Sequence, residues 1–89
     1  MRRVFFASRF EKKLKVFHSR HPEFSTAVEP VIVAIAKDPY ASTLHTHRLK
    51  GTLAECFSSS ISREYRIVFV LGTNRVTFID IGTHDDVYR

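Results

Sequence analysis

Three short stretches of this chain concentrate side chains that can move protons or hold anions: HTHRLKG (45–51), REYRIVF (63–69) and DIGTHDDVYR (80–89). Histidine has an ordinary pKa of about 6.5 and gives or takes a proton near neutrality. An arginine fork holds a phosphate through two parallel hydrogen bonds. A tyrosine ring stacks on a base, or its hydroxyl joins in proton transfer. His84 follows Gly82, whose missing side chain lets the backbone turn and a ligand approach closely. His47 leads an H-x-L-x-G spacing, with Arg48 and Lys50 flanking Leu49 as possible phosphate holders. Arg66 is the nominated cation, next to the polar corner Arg63-Glu64. The chemistry such a set would perform is proton transfer beside a bound phosphate.

Composition narrows the classes of protein that could carry such a set. The 89 residues are 44% hydrophobic with eight Phe, enough for one core and too few for two, so residues 1–89 are expected to form a single domain. Fourteen Lys/Arg against nine Asp/Glu leave a formal charge of +5, which favours a polyanionic partner or marks a soluble basic protein. The lone Cys56 has no partner for a disulfide or a CxxC zinc site. A reducing cytoplasm, without metal or cofactor, is the expectation. The apolar run Val4 to Ala7 is too short for a signal-peptide core or a membrane span.

Simple periodicities supply the elements that must position the three stretches. Arg3 to Ala7 suits a first strand. Ser8 stands three before Glu11, a capping-box spacing at a helix start. Phe10, Leu14 and Phe17 then form one apolar stripe until His21-Pro22 stops the helix. Val28, Val31, Ile32 and Ile35 repeat that spacing up to Asp38-Pro39, which places Pro30 near the first turn or at a kink. From Cys56 the pattern is strand-like, with Phe57, Ser59 and Ile61 alternating with Ser58, Ser60 and Ser62. Tyr65 to Gly72 reads as a central strand, joined through Thr73-Asn74 to Arg75–Ile81 in an antiparallel hairpin. The expected fold is α+β, in the order β-α-α-β-β-β, with the helical hairpin on one face of an antiparallel sheet and the other face left for function.

A first strand, a helical hairpin, HRLKG, YRIVF and a terminal GTHDDVY, in this order, resemble the RelE/ParE superfamily of toxins, most closely its RelE/StbE and YafQ-like branches. The resemblance spans the whole chain. It implies the toxin of a type II toxin-antitoxin pair, an endoribonuclease that cuts mRNA in the ribosomal A site, with a cognate antitoxin protein and the ribosome as partners. In metal-free RNA cleavage a base removes the 2'-hydroxyl proton, a cation steadies the phosphate, and an acid protonates the departing 5'-oxygen. The resemblance assigns His84 and His47 to the proton roles, Arg66 to the phosphate, Tyr88 to the aromatic position, and Glu64 to a base or to orienting a histidine. His45, two residues before His47, stands as its substitute.

The resemblance also assigns RNA contact to Arg48 and Lys50. Arg63, Ser60 and the helix lysines Lys12 and Lys13 complete the RNA-binding candidates. Asp85 and Asp86 read as residues that solvate this loop or shape it by local hydrogen bonding. The serines depart from the pattern. Ser60 stands where YafQ-like members place a second histidine, and Phe57 and Ser58 to Ser60 replace the lysines of RelE-like members. Serine donates a hydrogen bond but carries no proton at neutral pH, so the departure implies weaker activity or roles redistributed among His47, Glu64, Arg66 and His84. Two other readings remain: a ParE-like poison of DNA gyrase, and a catalytically degenerate antitoxin- or RNA-binding module.

Overall fold

The computed structural model describes residues 1–49 and 55–87. Lys50 and Tyr88, and the glycine that ends HRLKG, lie outside the described residues. Strand β1 (Arg3–Phe6) leads into helix α1 (Ser8–Arg20), and α2 (Val28–Lys37) follows a 3-10 turn at Pro22–Phe24. Pro30 is the third residue of α2, within the first turn, where its missing N–H has no intrahelical partner to lose. After a second 3-10 turn (Ser42–Leu44) come β2 (His47–Arg48), β3 (Cys56–Ser60), β4 (Tyr65–Gly72) and β5 (Arg75–Thr83). The short helix α3 (His84–Val87) follows β5 directly.

The five strands form one sheet in the order β1-β5-β4-β3-β2. It is mixed rather than purely antiparallel, because the first strand lies parallel to the last, Arg3 opposite Arg75 and Phe6 opposite Phe78. A parallel pair needs a long crossover, and the intervening helices and strands provide it. The other three pairings are antiparallel. The capping box expected at Ser8 does not form. Ala7 takes the N-cap position in extended backbone, without a side-chain cap. Its N–H donates to the Phe78 carbonyl at 3.0 Å, and its own carbonyl accepts from Glu11 N–H at 3.1 Å. The tie to β5 fixes the helix start one residue earlier than the sequence spacing predicts.

Both helices cover one face of the sheet. Phe10 and Phe17 of α1 and Val28 and Ile35 of α2 pack with Ile67, Phe69, Val76, Phe78 and Ile81, all buried. A smaller cluster of Leu49, Cys56, Val68 and Val87, with Val70 and Ile79 beside it, occupies the other face. The face expected to be free is thus partly roofed by α3 and by the segment around Leu49. A register shift between β4 and β5 pairs Phe69 with Phe78 but Val68 with Asp80, which leaves Ile79 as an extra residue. This bulge lets Phe78 and Ile81, three apart, both reach the helix-side core while Ile79 serves the other face.

Candidate active site

Arg66 is the centre of the second face. Its backbone pairs with Ser60 of β3 and Gly82 of β5, so the three residues form a row across the sheet. The residue is only 9% exposed, and a buried guanidinium must find hydrogen-bond acceptors or destabilise the fold. Serine hydroxyls and backbone carbonyls supply them. Nε donates to Ser58 Oγ at 2.9 Å and Nη1 to Ser60 Oγ at 3.0 Å, while Nη2 donates to the carbonyls of His45 at 2.6 Å and Ser58 at 3.0 Å. The serine run is therefore a cradle. Ser59, which points the other way, shares a 2.6 Å hydrogen bond with Thr46, whose hydroxyl also contacts the Pro39 carbonyl.

The cradle needs an unusual backbone. His45 sits at φ 48 and ψ 50, in the left-handed region that non-glycine residues seldom occupy. This conformation presents its carbonyl to Arg66. The imidazole is exposed, so what His45 gives the site in this arrangement is its main chain.

His47 pairs with Ser58 across β2 and β3, and directly opposed residues of an antiparallel pair point to the same face. His47 therefore shares the face of Arg66. Arg48 points to the opposite face, where its guanidinium lies 5.9 Å from the centre of the Phe57 ring, and the structure separates it from His47 and Arg66.

At the far end of the row, β5 turns into α3. His84 N–H donates to the Glu64 carbonyl at 3.2 Å, which brings the end of β5 to the Arg63-Glu64 corner. The His84 imidazole is 67% exposed, with Nδ1 3.9 Å from Asp85 Oδ1. The Arg63 and Glu64 side chains are also exposed.

Thr83 and Asp86 cap the helix reciprocally. Thr83 N–H donates to Asp86 Oδ2 and Asp86 N–H to Thr83 Oγ1, each at 3.1 Å. Gly82 makes room for this cap, since a Cβ there would stand 2.9 Å from Asp86 Cβ. The close approach expected of a ligand at Gly82 is made by the protein's own helix.

Lys12 is exposed on α1, and Lys13 is bound to Asp80 at 3.2 Å, with Arg9 on the same carboxylate at 3.4 Å. Two features of this surface have no sequence signal. The left-handed His45 is one. The other is a cleft of about 210 Å³ behind α3, where His21 Nδ1 lies 3.4 Å from Tyr65 Oη and Lys13 and Arg20 line the walls. Cys56, buried in the smaller cluster, has its thiol pKa raised by burial and by the neighbouring Glu55 carboxylate. Among the described residues, no three His, Cys, Asp or Glu side chains gather as a metal site.

The fold is shared with solved structures of bacterial toxins, as the resemblance in sequence implies. Solved structures that share it include YafQ from E. coli strain BL21(DE3), with a TM-score of 0.84 at 14% identity over 100% of both chains. A metal-bound toxin from Helicobacter pylori matches with a TM-score of 0.81 at 20% identity, over 99% of this chain and 100% of that one. A YoeB/ParE toxin from Agrobacterium tumefaciens matches with a TM-score of 0.76 at 19% identity, over 92% and 98%. YafQ is also solved within the E. coli DinJ-YafQ toxin-antitoxin complex. No protein-family model and no curated protein matches the sequence.

Proposed function

We propose that this chain is the toxin of a type II toxin-antitoxin pair, an endoribonuclease that cuts mRNA in the ribosomal A site and so inhibits translation in the cytoplasm. The observation that carries the reading is the Arg66 cradle, which fixes a cation on the face that holds His47, in the row that ends at Gly82, two residues before His84, whose N–H meets the Glu64 carbonyl. The substrate's 2'-hydroxyl attacks the adjacent phosphorus, and the bond to the departing 5'-oxygen breaks. His47 and His84 divide the two proton transfers between them, one taking the proton of the nucleophile and the other protonating the leaving oxygen. A positive charge held in place costs no reorganisation as charge gathers on the phosphate.

The bidentate clamp expected of Arg66 takes a modified form in this reading, because its nitrogens already serve Ser58, Ser60 and His45. The part-buried bond to Ser60 is the one a phosphate oxygen displaces, and Ser60 then contacts RNA itself. Glu64 orients His84 through its backbone. Tyr88 stacks on a base and Lys50 and Arg63 hold RNA phosphates around the site, while Arg48, Lys12 and Lys13, which lie away from the face of Arg66, hold phosphates farther along the RNA. A cognate antitoxin neutralises the protein, a partnership supported by the shared fold with YafQ, which is solved with DinJ. The engagement of Arg66 by serines favours one second reading, an inert module that binds antitoxin or RNA without cutting.

Primer extension on a defined mRNA, with and without ribosomes, separates these readings. The expected result is cleavage only on ribosomes, lost in His84→Ala. No cleavage by the folded wild-type protein would leave the inert module.

A further inference from the structure

Arg3 and Arg75 stand directly opposite each other in neighbouring strands, an arrangement that like charges disfavour. Both guanidiniums lie over the ring of Phe5, at 5.5 Å and 4.3 Å from its centroid. Gly72, across β4, leaves room for the Arg75 stem, because a Cβ there would meet Arg75 Cγ at 2.8 Å. Among the described residues neither arginine has an ion pair. Beside them a hollow of about 310 Å³ is lined by Met1, Arg2, Ala36, Lys37 and Asn74, and the buried Arg2 Nε lacks a hydrogen-bond partner. The acid next to Lys37, Asp38, has one oxygen occupied by the Tyr40 N–H at 3.0 Å.

Four cations thus gather at one end of the sheet. Arg3 and Arg75 share the face of Arg66, since Arg75 pairs with Gly72 and Arg66 lies six steps back along β4. At about 3.3 Å per step the separation is roughly 20 Å, too far for one phosphate to touch both places.

We propose that this end is a second RNA site, in which Arg3 and Arg75, steadied on Phe5 and joined by Arg2 and Lys37, grip the phosphate backbone of a duplex RNA segment remote from the cleaved strand. It rests on the endoribonuclease reading for the identity of the polyanion. Two guanidiniums lie over the ring, so the surface presents their charge where a bare aromatic face would otherwise stand. What the surface offers is paired positive charge, which fits backbone phosphates without reading sequence.

The test is binding of a short 2'-O-methylated RNA hairpin, which cannot be cut, over a series of salt concentrations. Arg3→Ala/Arg75→Ala should weaken binding about tenfold at low salt and lower the salt slope by about 1.5, at 0.7–0.9 per phosphate contact. Phe5→Leu leaves every charge in place and should still weaken binding severalfold, with circular dichroism confirming that each variant is folded. Binding by the double variant within twofold of wild type would overturn the proposal. So would an unaffected Phe5→Leu beside a weakened double variant, which would indicate bulk charge alone. Tighter binding of a DNA hairpin of the same sequence would reassign the surface to DNA. If wild type binds no hairpin the proposal falls, and primer extension decides independently whether the endoribonuclease reading stands.

Discussion

At the scale of single residues, position in the backbone decides what each polar group can do. His45 and His47 are indistinguishable as histidines, yet one contributes a carbonyl at positive φ and the other a side chain on the Arg66 face. His45→Gly should therefore stabilise the protein by about 1 kcal/mol, because glycine adopts the left-handed conformation without the steric cost. Thermal melting checks the stability. Primer extension checks that cleavage survives this change and falls in His47→Gln. Ser58→Ala makes the opposite prediction. It removes the buried acceptor of Arg66 Nε, and an unsatisfied buried donor costs about 1–3 kcal/mol, measurable by urea unfolding. The sequence marks His47, His84 and Arg66 by residue type and motif. It does not mark the cradle, because serine hydroxyls and a carbonyl become ligands of Arg66 only once β3 and β4 are in register.

At the scale of elements, periodicity locates the long helices and strands, and ties between elements decide their ends. The strand predicted over Arg75–Ile81 continues to Thr83, since Tyr65 and Arg66 pair with Thr83 and Gly82. The aspartates expected to shape a loop instead stand in a helical turn, with Asp86 as half of its cap. The capping-box spacing from Thr83 to Asp86 stands in the sequence, but four residues are too few to show a helical period, and the turn is held by that cap and by the packing of Val87 with Val68. Gly82→Ala should cost at least about 1 kcal/mol, as overpacking of a close contact commonly does. The loss should shrink in the Gly82→Ala/Asp86→Gly double variant relative to Asp86→Gly alone. A double-mutant cycle on unfolding free energies measures that coupling; additive effects would sink the account of Gly82 as room for the cap.

At the scale of the whole molecule, the sheet separates two kinds of work. The helix-side face is almost entirely apolar, and the rings of Phe10, Phe69 and Phe78 form a chain with centroids 5.7 Å and 5.9 Å apart. Phe10→Ala should cost about 3–5 kcal/mol, a large part of the stability of a small domain, and should appear as a fall in the thermal midpoint. This layer was legible in the sequence because burial imposes a period. The parallel placement of β1 beside β5 was not, since a lone apolar run carries no sign of its direction or partner.

That pairing has a consequence for the order of events at birth. Arg3 emerges from the ribosome long before Arg75, and Ala7, which sets the start of α1, finds its partner only when Phe78 arrives. Closing so distant a contact is slow relative to local structure. A partly synthesised chain has its first strand unpaired and the outer edge of β4 bare. If the protein acts on translation as proposed, that activity must wait until Phe78 and the strand that carries it have been made.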